Sequence, residues 1–226
     1  MKNIILQHWS GKMNELGELS SANISKYAEK LGVEYRLLRG DLFRPKLTPP
    51  WAPIQKLYML DKEFDGYDMV VMLDTDIFTR KGMNDNIFTD VQGIGRHTPV
   101  QDMLIKSIQR KKPKLANPNA PWWGGSIYRL DLKTRKKLRE QIREDEIPKF
   151  AGRGNFGDEG LMHRLASLAK LKKCYIPNSG HWNCSSFDPY VSKSATIHIR
   201  TKITPKGPKR PKIENYRELV KRGLIE

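Results

Sequence analysis

The segment MVVMLDTDIF, residues Met69–Phe78, constrains the fold more than any other. Its apolar run ends at Leu73, and two aspartates follow one residue apart, Asp74 and Asp76. A strand with one solvated face shows polar residues at alternate positions. An unbroken apolar run instead reads as a strand covered on both faces of a mostly parallel sheet. Open α/β sheets bind ligands at the carboxyl ends of their strands. Two carboxylates placed there repel each other unless something positive lies between them. A hard divalent cation carrying a phosphate ester meets that need.

The flanking segments suit such a sheet. Asn3–His8 is a first strand that turns polar at Gln7 and His8. A loop runs to Ser20. SSANISKYAEKLG then predicts a helix with a serine cap, Ile24, Tyr27, Ala28 and Leu31 on its apolar face, and Gly32 as terminator. Val33–Leu38 is a second strand. Pro53 opens a helix to about Lys62, with Ile54, Leu57, Tyr58 and Leu60 inward. Further strands are expected at Gly93–Arg96, Gly125–Leu130, Lys173–Ile176 and Ala195–Ile199. Helices are expected at Asp102–Gln109, Lys133–Glu144, Asp158–Lys170 and Ile213–Leu224, with a glycine-rich turn over Phe150–Gly157. Strands alternating with helices, without an internal repeat, predict one α/β domain.

With 226 residues the chain has room for a substantial core. No apolar stretch approaches the roughly 20 residues of a membrane span. The start, MKNIILQHW, reads as a strand rather than a signal peptide. Two cysteines, Cys174 and Cys184, form no disulfide framework or zinc pattern, so a reducing, cytoplasmic location is expected. The net charge of +16 implies an anionic partner: a nucleotide diphosphate, nucleic acid or a phospholipid surface. Basic residues concentrate in Lys106–Lys114, Lys133–Arg143 and Lys193–Arg222. The middle block reads as a solvated helix face.

Four stretches then occur in a fixed order. PIQKLYMLDKEFDGYDMVVMLDTDIF sets a lysine-bearing helix before a strand ending in D-x-D. WWGGSIYRLD, FGDEGLMHRL and ATIHIRTK follow. This order resembles the nucleotide-sugar glycosyltransferases of the GT-A fold, and within them the glycogenin-like retaining branch. In size the chain is similar to small viral capsid glycosyltransferase domains; if the chain is viral, the expected cytoplasm is that of the host. The resemblance implies a single GT-A type domain, with a Rossmann-like, mostly parallel central sheet flanked by helices. Residues 1–100 would form the nucleotide-binding half; residues 101–226 would supply the acceptor half and a basic C-terminal loop.

The same resemblance implies roles residue by residue. Asp76, and Asp74 directly or through water or ribose, would hold Mn²⁺ (or Mg²⁺), with His198 as third ligand and Thr75 between them at the donor. Gln7, His8 and Trp9 would meet the base and ribose, and Asn23 and Lys56 would approach the uracil and sugar. Gly124, Gly125 and Ser126 would let the backbone close on the sugar. Trp122 and Trp123 read equally as a sugar platform or as core. Asp158, or alternatively Glu159, would orient the donor near its anomeric carbon. The branch pattern H-x-x-G-x-x-K-P-W is altered here: the glycine is displaced and the tryptophan absent. Lys202 and Lys206 are therefore both candidates for the diphosphate, with Arg200 beside them. The alternative reading of His198 is an ordinary core or surface histidine, and that of Asp158-Glu159 a helix cap.

The expected activity is hexosyl or deoxyhexosyl transfer from a UDP-sugar to a glycan or glycoprotein hydroxyl. A basic nucleic-acid-binding protein would explain the charge but not the aspartates, and no stable nucleic-acid partner is expected. A sugar nucleotidyltransferase should carry a glycine-rich basic loop after the first strand, where this chain has only Ser10-Gly11-Lys12.

Overall fold

A computed structural model describes residues 1–44, 52–89, 99–150, 157–173 and 179–226. The main sheet has the order β2-β1-β3-β5, built from β1 (Asn3–Trp9), β2 (Glu34–Arg39), β3 (Met69–Leu73) and β5 (Ile127–Asp131). β1 runs parallel to both β2 and β3, and β5 runs antiparallel to β3. A second sheet, order β4-β7-β6, joins β4 (Ile77–Thr79), β7 (Thr196–His198) and β6 (Cys184–Ser185). The central sheet is thus mostly parallel and flanked by helices, as expected.

The alternation of side chains explains the unbroken apolar run. Ile4, Leu6, Val70, Met72, Tyr128 and Leu130 enter the core on one face of the main sheet. Ile5, Val71, Leu73 and Ile127 enter the core on the other, against Ile24, Tyr27 and Ala28 of α1 (Glu15–Leu31). Both faces are covered, so β3 has no position for a polar residue until Asp74.

Helix α1 begins earlier than the serine cap predicts. Asn14 is the N-cap and accepts a hydrogen bond from Gly17 N at 2.9 Å. Ser20 is instead buried mid-helix, donating to Ile77 O at 2.7 Å and accepting from Gln7 Nε2 at 3.0 Å. The terminator is as expected: Gly32 sits at φ +65°, a left-handed geometry that suits glycine. The helix expected from Pro53 to Lys62 is broken into α2 (Ala52–Gln55) and 3₁₀ turns at Lys56–Leu60 and Lys62–Phe64. Ile54, Leu57 and Leu60 still point inward, while Tyr58 stays at the rim and bonds Glu63.

The second half supplies α3 (Pro99–Lys111), α4 (Leu132–Glu140), α5 (Gly157–Leu168), α6 (Ser179–Trp182) and α7 (Lys212–Lys221). The expected strand at Gly93–Arg96, most of that at Lys173–Ile176 and the turn before Gly157 lie outside the described residues. Helix α4 is not merely a solvated basic face. Arg135 is fully buried and donates to the carbonyls of Leu130, Phe64 and Tyr67 at 2.7–2.9 Å. Arg139 grips Asp65 with two bonds of 2.9 Å. A third apolar cluster, with Phe78, Ile197, Ile199, Tyr216 and Leu219, docks α7 onto the second sheet. No described helix is long and apolar enough to cross a membrane.

His163 of α5 makes the fold sensitive to acid. Its Nδ1 lies 2.9 Å from Pro121 O and must carry the proton, while Nε2 accepts from Asn117 N at 3.2 Å. A ring with one donating and one accepting nitrogen is neutral. Burial lowers its pKa from the ordinary 6.5. The unfolded chain therefore takes up this proton first. The histidine's contribution is complete above about pH 6.5 and is lost as the pH falls below it, by up to about 1.4 kcal/mol per pH unit. Melting temperatures of the protein and of His163→Gln between pH 8 and 5 should converge toward acid; parallel curves would refute this.

Candidate active site

A cleft of about 530 Å³ opens at the carboxyl end of β1 and β3. Its position follows from the chain path: β3 ends at Leu73, the backbone turns, and β4 begins at Ile77 in the second sheet. Main-chain bonds pin the turn. Asp74 N donates to Ser126 O at 2.9 Å, Ile77 N to Asp74 O at 3.2 Å, and Ile199 N to Asp76 O at 2.8 Å. Asp74 thus belongs to one sheet and Asp76 to the other, with both side chains in the cleft.

His198 arrives from β7, opposite Ile77 in the antiparallel register. Ligand atoms of Asp74, Asp76 and His198 lie within 4.8 Å of one another. His198 Nε2 is 3.1 Å from Asp76 Oδ1, yet that buried oxygen accepts no hydrogen bond among the described residues. Burial opposes ionisation of Asp76, but His198 and the Lys212 ammonium, paired with Asp76 Oδ2, hold its pKa below the carboxylate range. Two carboxylates and one imidazole within this distance could hold a divalent metal ion. Asp76 Oδ1, one of these donors, is buried without a hydrogen bond among the described residues, which fits a cation as well.

A second constellation adjoins the first. Lys56 Nζ donates to Asp74 Oδ1 at 2.7 Å and Gly125 O at 2.7 Å, and it is 2.8 Å from Asp158 Oδ2. Its three protons have three acceptors. Burial alone would lower the Lys56 pKa, but the charges of Asp158 and Asp74 outweigh it and hold the ammonium protonated. Burial pushes Asp158 up to about 6 against the pull of Lys56. Asp158 also accepts from the Tyr128 hydroxyl at 3.0 Å. Glu159 is spent differently: Oε2 accepts from Trp122 Nε1 at 3.0 Å and Oε1 from Gly125 N at 2.9 Å. It fastens the helix start to the β5 approach. A Cβ on Gly125 would lie 2.4 Å from Asp158 Oδ2, so a residue without a side chain is needed there.

The structure brings together His8, Trp9, Lys56, Asp74, Thr75, Asp76, Gly125, Asp158, Glu159 and His198 along the cleft. His8 Nε2 donates to Gly40 O at 2.6 Å, and burial lowers the ring's pKa. Other expected residues lie elsewhere. Gln7 sits beneath the cleft, fully buried, donating to Asp74 O and accepting from Tyr35. Asn23 faces away and accepts from Thr79 N and Oγ1, tying α1 to β4. Gly124 lies near the Asn183 side chain, outside the cleft wall. Lys202 turns back to Pro205 O at 3.4 Å, and Lys206 is exposed; neither lines the cleft. Arg200 and Lys212 do. Trp122 and Trp123 are core residues. Sequence reasoning missed Lys212, Tyr128, Ser10 and Asn14. Lys212 lay within the basic C-terminal block, but its distance from His198 along the chain offered no signal.

Sequence comparison gives no match to a family model or to a curated protein. Solved structures do match. A glycosyltransferase involved in glycosylation of the major capsid of PBCV-1 has a TM-score of 0.55 at 12% identity, covering 98% of this chain and 100% of its own. The galactosyltransferase LgtC, in complex with donor and acceptor sugar analogs, has a TM-score of 0.52 at 12% identity, covering 95% and 94%. An active-site mutant of LgtC gives 0.52 at 14% identity, covering 98% and 96%. At such identities the likeness is one of fold.

Proposed function

Since the chain has the GT-A glycosyltransferase fold, we propose that it transfers a sugar from a nucleoside diphosphate, UDP foremost, to a hydroxyl of a glycan or glycoprotein. The observation that carries this reading is the Asp74–Asp76–His198 donor set, held beside the Lys56–Asp158 pair in one cleft. These three residues would hold Mn²⁺ or Mg²⁺, which neutralises a departing diphosphate when bound.

The rest follows from the chain's own groups. Trp9 and His8 offer an apolar face and a neutral imidazole to the base and ribose. Arg200 and Lys212, which line the cleft, bring positive charge to the phosphates as the sugar–oxygen bond breaks and negative charge develops. Asp158 lies where it can accept from sugar hydroxyls and orient the ring. Lys56 keeps Asp158 and Asp74 in fixed relation, so sugar and diphosphate sites move as one unit. The order of motifs favours retention of configuration, and a cytoplasmic setting belongs to the same reading.

A thermal-shift panel of UDP- and GDP-sugars with and without Mn²⁺ tests the reading, because only a bound ligand stabilises the native state. UDP-sugars should raise the melting temperature in the presence of Mn²⁺ and not with chelator. One of them should be slowly hydrolysed. No response to any nucleotide sugar would overturn the assignment.

A further inference from the structure

We infer that Tyr128 is a positioning residue for sugar transfer, acting through Asp158; the inference rests on the transferase reading above. Tyr128 lies on β5, opposite Met72 of the strand that delivers the aspartates. Its ring is fully buried, and it does not line the cleft. Its hydroxyl reaches Asp158 Oδ2 at 3.0 Å, and Lys56 Nζ reaches the same oxygen at 2.8 Å.

The shared oxygen is the informative detail. A carboxylate held by one donor pivots about that contact. Two donors from different elements, a 3₁₀ turn and a strand, fix its plane. With Oδ2 occupied twice, Oδ1 is the oxygen that Asp158 can offer to a ligand in the cleft. The tyrosine also touches the other member of the pair, since the Lys56 ammonium lies 5.9 Å over its ring. Burying a phenol requires a partner for its hydroxyl. This fold spends that requirement on the carboxylate facing the sugar. β5 and its approach therefore serve the site three times: Ser126 O anchors Asp74, Gly125 O anchors Lys56, and Tyr128 aims Asp158.

Tyr128→Phe tests this, because it keeps the ring and removes one hydroxyl. Mn²⁺-dependent turnover of the donor should fall about ten- to a hundredfold, as for loss of a hydrogen bond to a charged group. KM for the donor and the affinity for Mn²⁺·UDP should stay within about threefold, since nucleotide and cation contacts are untouched. The acid limb of the rate profile should move to higher pH, because the charged form of Asp158 loses a donor. Unchanged turnover would overturn the inference. So would a parallel loss of Mn²⁺·UDP affinity, or a variant too unstable to assay, since either would make the hydroxyl a support of the whole cleft. A wild-type protein inert with every donor sinks the transferase reading too; an active wild type with an unimpaired variant sinks this inference alone.

Discussion

Replacing Asp76 with alanine is expected to cut Mn²⁺-dependent turnover by at least about a thousandfold while leaving the fold in place. The size follows from its position. Asp76 faces both His198 and Lys212, and no other carboxylate touches either of them among the described residues. In the proposed reaction its loss removes a charged metal ligand, and a thousandfold corresponds to about 4 kcal/mol of transition-state stabilisation. The fold survives for two reasons. The backbone carbonyl of residue 76 still accepts from Ile199 N. Lys212, whose side chain is 37% exposed, can turn to solvent. Manganese titration and circular dichroism of the variant should show lost binding with an intact spectrum. Full activity would remove the cation site from the mechanism.

Lys56→Met is expected to be strongly destabilising. The ammonium separates Asp74 from Asp158, and its side chain is 11% exposed. Breaking a buried ion pair by deleting one partner costs about 3–5 kcal/mol, because the other charge is left behind. For a chain of this size that is about 6–20 °C in melting temperature. The defect should ease in acid. Without Lys56 the buried Asp158 carboxyl has a folded pKa raised above its unfolded value. Stability then rises, relative to wild type, as the pH drops through that folded value. Melts of both proteins at pH 8 and pH 5.5 decide it: an equal deficit at both would show that the charge of Asp158 is not the cause. Donor turnover should fall alongside, since Asp158 loses its main anchor.

Much of the framework was legible in the residues because local rules govern it. The run Met69–Leu73 announced a doubly covered strand, and Gly32 announced a helix end. The expectation for α1 missed by several residues because Asn14 competed with Ser20 as cap. Ser20 looked like a cap but is buried, bridging Gln7 to Ile77 O. The break at Lys56 was hidden for a similar reason. Apolar spacing from Pro53 to Leu60 fits a regular helix, yet tertiary demands on Lys56 favoured a 3₁₀ turn.

The site was legible where order along the chain stood in for distance. Asp74, Asp76, His198 and Asp158 come together from three separate stretches. Which cation reaches the cleft was not legible. Lys202 and Lys206 were closer to His198 in sequence, but Lys202 folds back on its own loop, while α7 swings Lys212 inward. Glu159 shows the opposite lesson. An acidic residue next to the candidate is occupied by an indole and a backbone amide, a role that requires knowing where Trp122 and Gly125 lie.

The pairing of Ile77 with His198 carries a consequence for how the protein comes into being. More than half of the chain lies between these two residues, and loop closure over so long a segment is entropically slow. The main sheet pairs β1 with β2 and β3 early in the chain, so it can form well before β7 exists on a growing polypeptide. Among the described residues the second sheet has three short strands, and local opening there would separate His198 from Asp76 with the larger core intact. The contact between Asp76 and His198, on which the proposed cation site depends, would then be among the last the folding chain makes and among the first it gives up.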